Sequence, residues 1–153
     1  MTAVLQRVFE TKVFVNGELV GASGKGLYIL LGIEEGDDIT DVTLLSEKIS
    51  KCRIFSDENG KMNLSIRDID GEVTVVSNFT LAANYAHGNR PDYLGAAAPA
   101  IAEKLYSRFV EELGSKVRFV ATGVFGADMR SEIVTDGPVT IVMKSSVLRG
   151  CGK

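Results

Sequence analysis

Four Asx-Gly pairs divide this chain into short apolar runs: Asn16-Gly17, Asn59-Gly60, Asp70-Gly71 and Asp136-Gly137. Asx and Gly tolerate positive φ better than other residues, so each pair marks a place where the backbone can reverse tightly. The runs between them have strand length. Residues 3–8 and 12–15 are predicted strands, continuing through Asn16-Gly17 into a strand at 18–22. The run "GLYILLGI" (26–33) is apolar throughout, as a strand buried on both faces would be. After Asp70-Gly71 comes "EVTVVSNF", and strands are predicted at 116–121, 128–134 and 139–144.

Two segments change period from two to three and four. Asp37 and Asp38 offer N-caps, and Ile39, Val42, Leu45, Ile49 and Cys52 then form one helical face. Pro99 suits a helix's first turn, Ile101, Leu105, Tyr106, Phe109, Val110 and Leu113 form the second stripe, and Gly114 suits the position just beyond it. Many strands joined by turns, with two helices, predict an α+β fold with a mainly antiparallel sheet. At 153 residues the chain suits one domain with one core, here residues 1–144. The last residues, 145–153, "SSVLRGCGK", read as a frayed, disordered tail.

Composition narrows the function classes. The net charge of −3 argues against broad, charge-driven nucleic-acid binding, though not against a small site that grips a nucleic-acid end. No apolar run is long enough to span a membrane, and "MTAVLQRVFE" lacks a signal-peptide layout. Cys52 and Cys151 match no metal or redox spacing, so a reduced, cytoplasmic protein is expected. The one histidine, His87, sits in a polar stretch (82–98) with no obvious partner, and a solvated loop histidine is the commoner case. Nucleophile-elbow, zinc-protease and phosphate-loop motifs are missing. Any catalysis must therefore lean on backbone donors, hydroxyls and groups of the substrate itself.

Two stretches stand out. "VVSNFTLAAN" (75–84) ends a buried strand in Ser77-Asn78-Phe79-Thr80, where hydroxyl, amide and released backbone N–H groups can meet a carbonyl or oxyanion. Polar residues are also ordinary where strands end in turns. "IVTDGPVTIVM" (133–143) sets Pro138, which has no N–H to donate, at the head of an apolar strand. Gly-Pro is also a common turn dipeptide. Taken singly, neither stretch identifies a function.

In combination they resemble a family. "LQRV", "RIFSDENGKMNLSI", "VVSNFTLAAN", "GNRPDY", "GVFGADM" and "DGPVTI" follow the order and spacing of the D-aminoacyl-tRNA deacylases over essentially residues 1–144. The resemblance implies a barrel-like core and a cytoplasmic homodimer that needs neither cofactor nor metal. It implies hydrolysis of the ester joining a D-amino acid, and glycine as well, to the 3′ end of tRNA. That is a proofreading activity in translation, which works by rejecting L-amino acids. Catalysis falls to Ser77, Asn78, Phe79 and Thr80. Substrate binding and chiral selection fall to Gly137, Pro138, Arg7, Phe125 and Met129. The Gly137-Pro138 bond is expected to be cis and to reach into the other subunit's pocket, where it would present carbonyl oxygens to the substrate ammonium. Arg7 corresponds to an arginine that braces this loop.

The chain departs from the family pattern at two positions. Asn78 stands where Gln is usual, and Thr135 where Asn often precedes Asp-Gly-Pro. Thr80 as nucleophile and the ribose 2′-OH as the driver of the chemistry are rival family views. Without a nearby base for Thr80, the second fits better. A small-molecule esterase, a non-cleaving tRNA-binding module and a purely structural dimer remain as alternatives.

Overall fold

The structure, a computed structural model, describes residues 1–150. Asn16 and Gly17 both adopt positive φ, 50° and 85°. They fold strand β1 (Thr2–Val15) back onto β2 (Glu18–Ser23), with Val15 opposite Glu18. The two strands expected at 3–8 and 12–15 are one. Its first half pairs antiparallel with β3 (Gly26–Gly32), from Thr2↔Gly32 to Val8↔Gly26, and its second half pairs with β2. The break in the apolar pattern at Phe9-Glu10 is an exposed patch on a continuous strand.

From β3 the chain passes through helix α1 (Ile39–Ser50) and a two-stranded hairpin, β4 (Phe55–Ser56) and β5 (Met62–Leu64). It returns as β6 (Glu72–Ser77), which lies parallel to β3 from Gly26↔Glu72 to Leu31↔Ser77. A 3-10 turn at Phe79–Ala82 and a loop lead to α2 (Pro99–Gly114), and β7 (Phe119–Thr122) then joins β6, again in parallel. The last strand, β8 (Arg130–Lys144), pairs antiparallel with β1. The sheet order is β2-β1-β3-β6-β7, with β8 on the other side of β1. The sheet is therefore mixed. The helices act as crossovers, and a crossover joins parallel strands where a hairpin would join antiparallel ones. The ends of the sheet curl together, since a Cβ placed on Gly21 of β2 would lie 2.3 Å from the Thr122 carbonyl oxygen of β7.

One face of β3 meets the helices. Leu27, Ile29 and Leu31 pack with Val42, Leu45 and Ile49 of α1 and with Leu105, Phe109 and Leu113 of α2. The opposite face places Tyr28 and Leu30 with Val8, Val13, Val76 and Met129. Buried hydroxyls join three strands: Thr11 Oγ1 lies 2.6 Å from Thr74 Oγ1 and 3.0 Å from Ser23 Oγ, with 2.7 Å between the last two. Each is thus satisfied without water, as a buried polar group must be. Ile39 and Ile101, expected on the inward stripes, are exposed, because Val42 and Ala102 begin the buried faces. Gly114 is the last residue of α2, and Ser115 caps it.

The strands expected at 128–134 and 139–144 are also one. Gln6 pairs with Thr140 and Val8 with Thr135, so residues 136–139 stand against Arg7 alone. Asp136-Gly137-Pro138-Val139 is an excursion from a continuous strand, with a cis Gly137–Pro138 bond.

The tail also differs from expectation. Residues 145–149 form a short helix, α3 (Ser145–Arg149), and Cys151 lies outside the described residues. The Ser145 N–H donates to the Met1 carbonyl at 2.9 Å. Arg149 donates through Nε to Asp41 Oδ1 at 2.8 Å and through Nη2 to Asp38 Oδ1 at 2.7 Å. These two carboxylates also form the capping box of α1.

Asp41 is buried, which raises its pKa, but hydrogen bonds from the Arg149 side chain and the Asp38 N–H outweigh this and hold it well below the usual carboxylate range. A depressed folded pKa gives stability that is complete above the unfolded pKa and lost as pH falls through the folded one. Arg149→Ala is therefore expected to lower the thermal midpoint at neutral pH. The gap from the parent should narrow as the pH is taken below about 4, where unfolded Asp protonates. Melting curves at several pH values test this; a gap independent of pH contradicts it.

Candidate active site

The β3–β6 ladder ends where Asn78 N–H donates to the Leu31 carbonyl at 2.8 Å. The chain then leaves the sheet. Asn78 keeps an extended backbone and caps the 3-10 turn: its Oδ1 accepts from the Thr80 N–H at 3.2 Å and from the Thr80 hydroxyl at 2.5 Å. Phe79 holds the first position of the turn, whose N–H a helix start leaves without an internal partner. Gly32 makes room for this arrangement. A Cβ there would lie 2.8 Å from Leu81 Cβ and 3.0 Å from the Asn78 carbonyl oxygen.

The polar stretch after the turn is not structureless. Asn84 and Asp92 exchange backbone hydrogen bonds of 2.9 Å in both directions, and the Asn84 amide donates to Asp92 Oδ2 at 3.0 Å. This closes a small loop that carries His87 and Arg90 at its exposed tip. Residues 93–98 are tied back to the end of β3, with Glu35 N–H on the Gly95 carbonyl and Ala97 N–H on the Ile33 carbonyl. Tyr93 thereby meets Phe79 edge to face, with ring centroids 5.1 Å apart.

Between this loop and the segment before β8 lies a groove of about 940 Å³. Ser77, Asn78 and Phe79 form one wall, Tyr93 and Leu94 the rim, and Phe125 and Met129 the facing wall. Both facing residues are fixed from behind. Phe125 packs 5.7 Å from the Tyr106 ring, and the Tyr106 hydroxyl donates to the Val75 carbonyl at 2.8 Å. Burial pushes the Tyr106 phenol above its ordinary pKa, so it stays a neutral donor. Met129 fills the space left by Gly123, where a Cβ would lie 2.3 Å from its sulfur.

The groove is poor in charge. Asp128 is the one Asp, Glu, Lys, Arg or His in its lining. Among the described residues no group of three or more His, Cys, Asp or Glu could hold a metal ion. The groove's chemistry rests on a strand end with a capped amide, an unused N–H and a hydroxyl. It can polarise a carbonyl, and Asp128 is its one carboxylate.

Of the residues singled out in the sequence, Ser77, Asn78, Phe79, Phe125 and Met129 meet in this groove. Thr80 is exposed and lies just beyond the lining, with its hydroxyl turned onto Asn78. Arg7, Gly137 and Pro138 do not line this groove. Arg7 grips the excursion of β8 through Asp136, and Gly137 and Pro138 stand exposed. Tyr93, Leu94 and Asp128 escaped the sequence reading. Their surroundings, "GNRPDY" with the Leu94 that follows it and "GVFGADM", carry no periodicity that ties a particular side chain to the groove.

A family model described as D-Tyr-tRNA(Tyr) deacylase matches residues 4–144. Curated relatives called D-aminoacyl-tRNA deacylase include that of Geobacter metallireducens, 48% identical over 98% of this chain and 99% of the relative. That of Chloroflexus aurantiacus is 52% identical over 97% of this chain and 93% of the relative. Among solved structures, one titled "c-Myc DNA Unwinding Element Binding Protein" superposes with a TM-score of 0.89 at 39% identity, covering 94% of this chain and 98% of its own. Another, of a probable eukaryotic D-amino acid tRNA deacylase, has a TM-score of 0.81 at 16% identity, over 94% and 99% of the two chains, and shows the shared fold.

The clearance at Gly32 makes a direct prediction. Gly32→Ala should displace the 3-10 turn from β3 and destabilise the protein by about 1–3 kcal/mol, the usual range for overpacking. Denaturant unfolding reads the loss, and a crystal structure of the variant reads the shift of Asn78 and Leu81. An unchanged turn and unchanged stability contradict this account of the site's support.

Proposed function

The chain belongs to the D-Tyr-tRNA(Tyr) deacylase family, and from that premise we propose how its groove does the family's work. Its activity is hydrolysis of the ester bond of D-aminoacyl-tRNA, which releases tRNA and the D-amino acid. The observation that carries our reading of the mechanism is the Asn78-capped strand end, where the Thr80 hydroxyl meets an amide oxygen and not a base, in a groove whose one carboxylate is Asp128.

The ester carbonyl accepts from the Phe79 N–H, with the Thr80 N–H, already shared with Asn78, close by. Fixed donors of this kind stabilise the oxyanion as a tetrahedral centre forms. Ser77 and the Asn78 amide flank it. The Thr80 hydroxyl donates to an amide oxygen, which is too weak a base to activate a nucleophile. Water therefore attacks the carbonyl carbon, and the bond to the ribose 3′ oxygen breaks. The neighbouring 2′-OH relays the water's proton to that leaving oxygen.

Chirality is read by exclusion. Two copies of the chain assemble so that the partner subunit's Gly137 and Pro138 complete each groove. In support, the excursion stands exposed and outside its own protomer's groove. Its carbonyl oxygens take the α-ammonium, and Phe125 and Met129 bound the space beside it. With ammonium and ester both held, a D side chain points outward and an L side chain meets the wall. Glycine has no side chain to reject, so glycyl-tRNA is hydrolysed too. The terminal aminoacyl-adenosine alone enters the groove. That suits an acidic protein, whose contacts with the rest of the tRNA are then few.

The deciding assay follows ester cleavage in D-Tyr-tRNA, Gly-tRNA, L-Tyr-tRNA and free D-Tyr ethyl ester. We expect cleavage of the first two and not of the last two. Cleavage of the free ester at a comparable rate would instead mark a small-molecule esterase, and binding without turnover a carrier.

A second experiment addresses the nucleophile. Thr80→Val should keep activity within about 10-fold, the scale of one hydrogen bond. Replacing the terminal 2′-OH by hydrogen should slow the reaction about 100-fold or more, as loss of a proton relay does. An acyl-Thr80 adduct seen by mass spectrometry reverses this assignment.

A further inference from the structure

The excursion at residues 136–139 has no ladder partner, since its only opposite number on β1 is Arg7. The Arg7 side chain takes over the role that backbone bonds play elsewhere in the strand. Nε lies 3.0 Å from Asp136 Oδ2 and donates to the Asp136 carbonyl at 3.2 Å. Nη2 donates to Asp136 Oδ1 at 3.2 Å, and Nη1 to the Ile54 carbonyl at 2.7 Å. All three guanidinium nitrogens are engaged, and the pair is largely shielded, with side-chain exposures of 11% for Arg7 and 22% for Asp136. Asp136 is thus held at two points, its carboxylate by Nη2 and its carbonyl by Nε, and such a fork fixes direction as well as distance.

We infer that Asp136 is a positioning residue for chiral selection. With Arg7 and the Ile54 carbonyl, it aims the Gly137 and Pro138 carbonyl oxygens at the ammonium of the substrate in the opposite subunit. The inference rests on the reading of Gly137-Pro138 given above. Two observations carry it further. First, the Asp136 carbonyl is already bonded to Arg7, so the acceptors left at the tip are those of Gly137 and Pro138. Second, the Ile54 carbonyl lies at the foot of the β4–β5 hairpin, where Arg53 Nε also donates to the Asn63 carbonyl at 2.7 Å. The fork therefore links the excursion to a second sheet as well as to β1. Beyond the fork, the tip admits only glycine at 137: at φ 136°, a Cβ there would lie 2.5 Å from the Val139 nitrogen. Rotation of Asp136 would carry the tip with it.

The test compares D-Tyr-tRNA with N-acetyl-D-Tyr-tRNA, which has no ammonium to capture. The ratio of their rates measures how well the carbonyls are aimed, and a lesion that merely loosens the fold lowers both rates together. Asp136→Asn keeps the shape but loses the charge and one acceptor. We expect kcat/KM for D-Tyr-tRNA to fall about 10- to 100-fold, the scale of a charged hydrogen bond, with the ratio collapsing toward one. Arg7→Lys offers a single point charge in place of the fork and should match it. The double variant should be no worse than the poorer single one, because the two side chains act as one unit. If Asp136→Asn does not fold, Arg7→Lys carries the same comparison.

A variant that melts lower yet keeps the wild-type ratio makes the fork structural only and overturns the inference. So does a silent Asp136→Asn beside a Gly137→Ala that loses the ratio. If Gly137→Ala is silent as well, it is the underlying reading of Gly137-Pro138 that falls.

Discussion

The ladder between β1 and β8 shifts register twice, and much of what is distinctive in this molecule depends on the larger shift, opposite Arg7. Away from it the two strands keep register from Thr2↔Lys144 to Gln6↔Thr140 and from Glu10↔Val134 to Phe14↔Arg130, with a one-residue bulge at Phe9 after Val8↔Thr135. The matched strands confine the mismatch to Asp136-Gly137-Pro138-Val139. Four residues facing one must leave the sheet, and without backbone bonds they would move independently of it. A single guanidinium prevents that by bonding to the carboxylate and carbonyl of Asp136 and to the Ile54 carbonyl. Bulges commonly re-aim a few side chains beside a site. Here the excursion leaves Gly137 and Pro138 exposed, and in the proposed function their main-chain oxygens take the substrate ammonium whatever side chain the amino acid carries.

The groove is built in the same manner, from backbone held by side chains. Asn78 stabilises the turn that exposes the Phe79 N–H, Gly32 lets that turn lie against β3, and Tyr106 holds β6 from beneath. No histidine or lysine and a single carboxylate face the interior. Such a site has little means of generating a nucleophile and every means of orienting one, so the reaction is assigned to water and the substrate's own hydroxyl. Asn78 fits this picture. Its amide reaches the Thr80 N–H and hydroxyl from the cap position, so it supports the turn from within.

Much of this was legible in the chain because local chemistry and tertiary role coincide. Asn16-Gly17 reverses the chain as its φ preferences require. Asp38 caps α1, and the buried stripe of Val42, Leu45 and Ile49 follows the helical period. The misses have physical reasons. Period alone does not distinguish parallel from antiparallel pairing, so the β3–β6 and β6–β7 pairs were not foreseen. A strand continues through an exposed patch such as Phe9-Glu10 when a long partner runs beside it, as β8 does. Arg149 looked like part of a tail because its partners, Asp38 and Asp41, lie more than a hundred positions away. In the site, the Ser77–Thr80 segment showed itself by placing polar residues at a buried strand's end. Tyr93, Leu94 and Asp128 reach the groove only through hydrogen bonds of their loops.

The central claim is that each groove is completed by the excursion of the opposite subunit, and subunit complementation tests it most directly. One inactive variant carries Gly137→Ala, with its groove intact. The other carries a groove lesion, Phe79→Ala with Asn78→Ala, and keeps its excursion. After the two are mixed and allowed to exchange subunits, half of the dimers are heterodimers. In each of these one site pairs a sound groove with a sound excursion. The account predicts recovery of about one quarter of wild-type D-Tyr-tRNA hydrolysis, the fraction of sites so restored under two-fold symmetry. No recovery from a mixture shown by mass spectrometry to contain the heterodimer would contradict it.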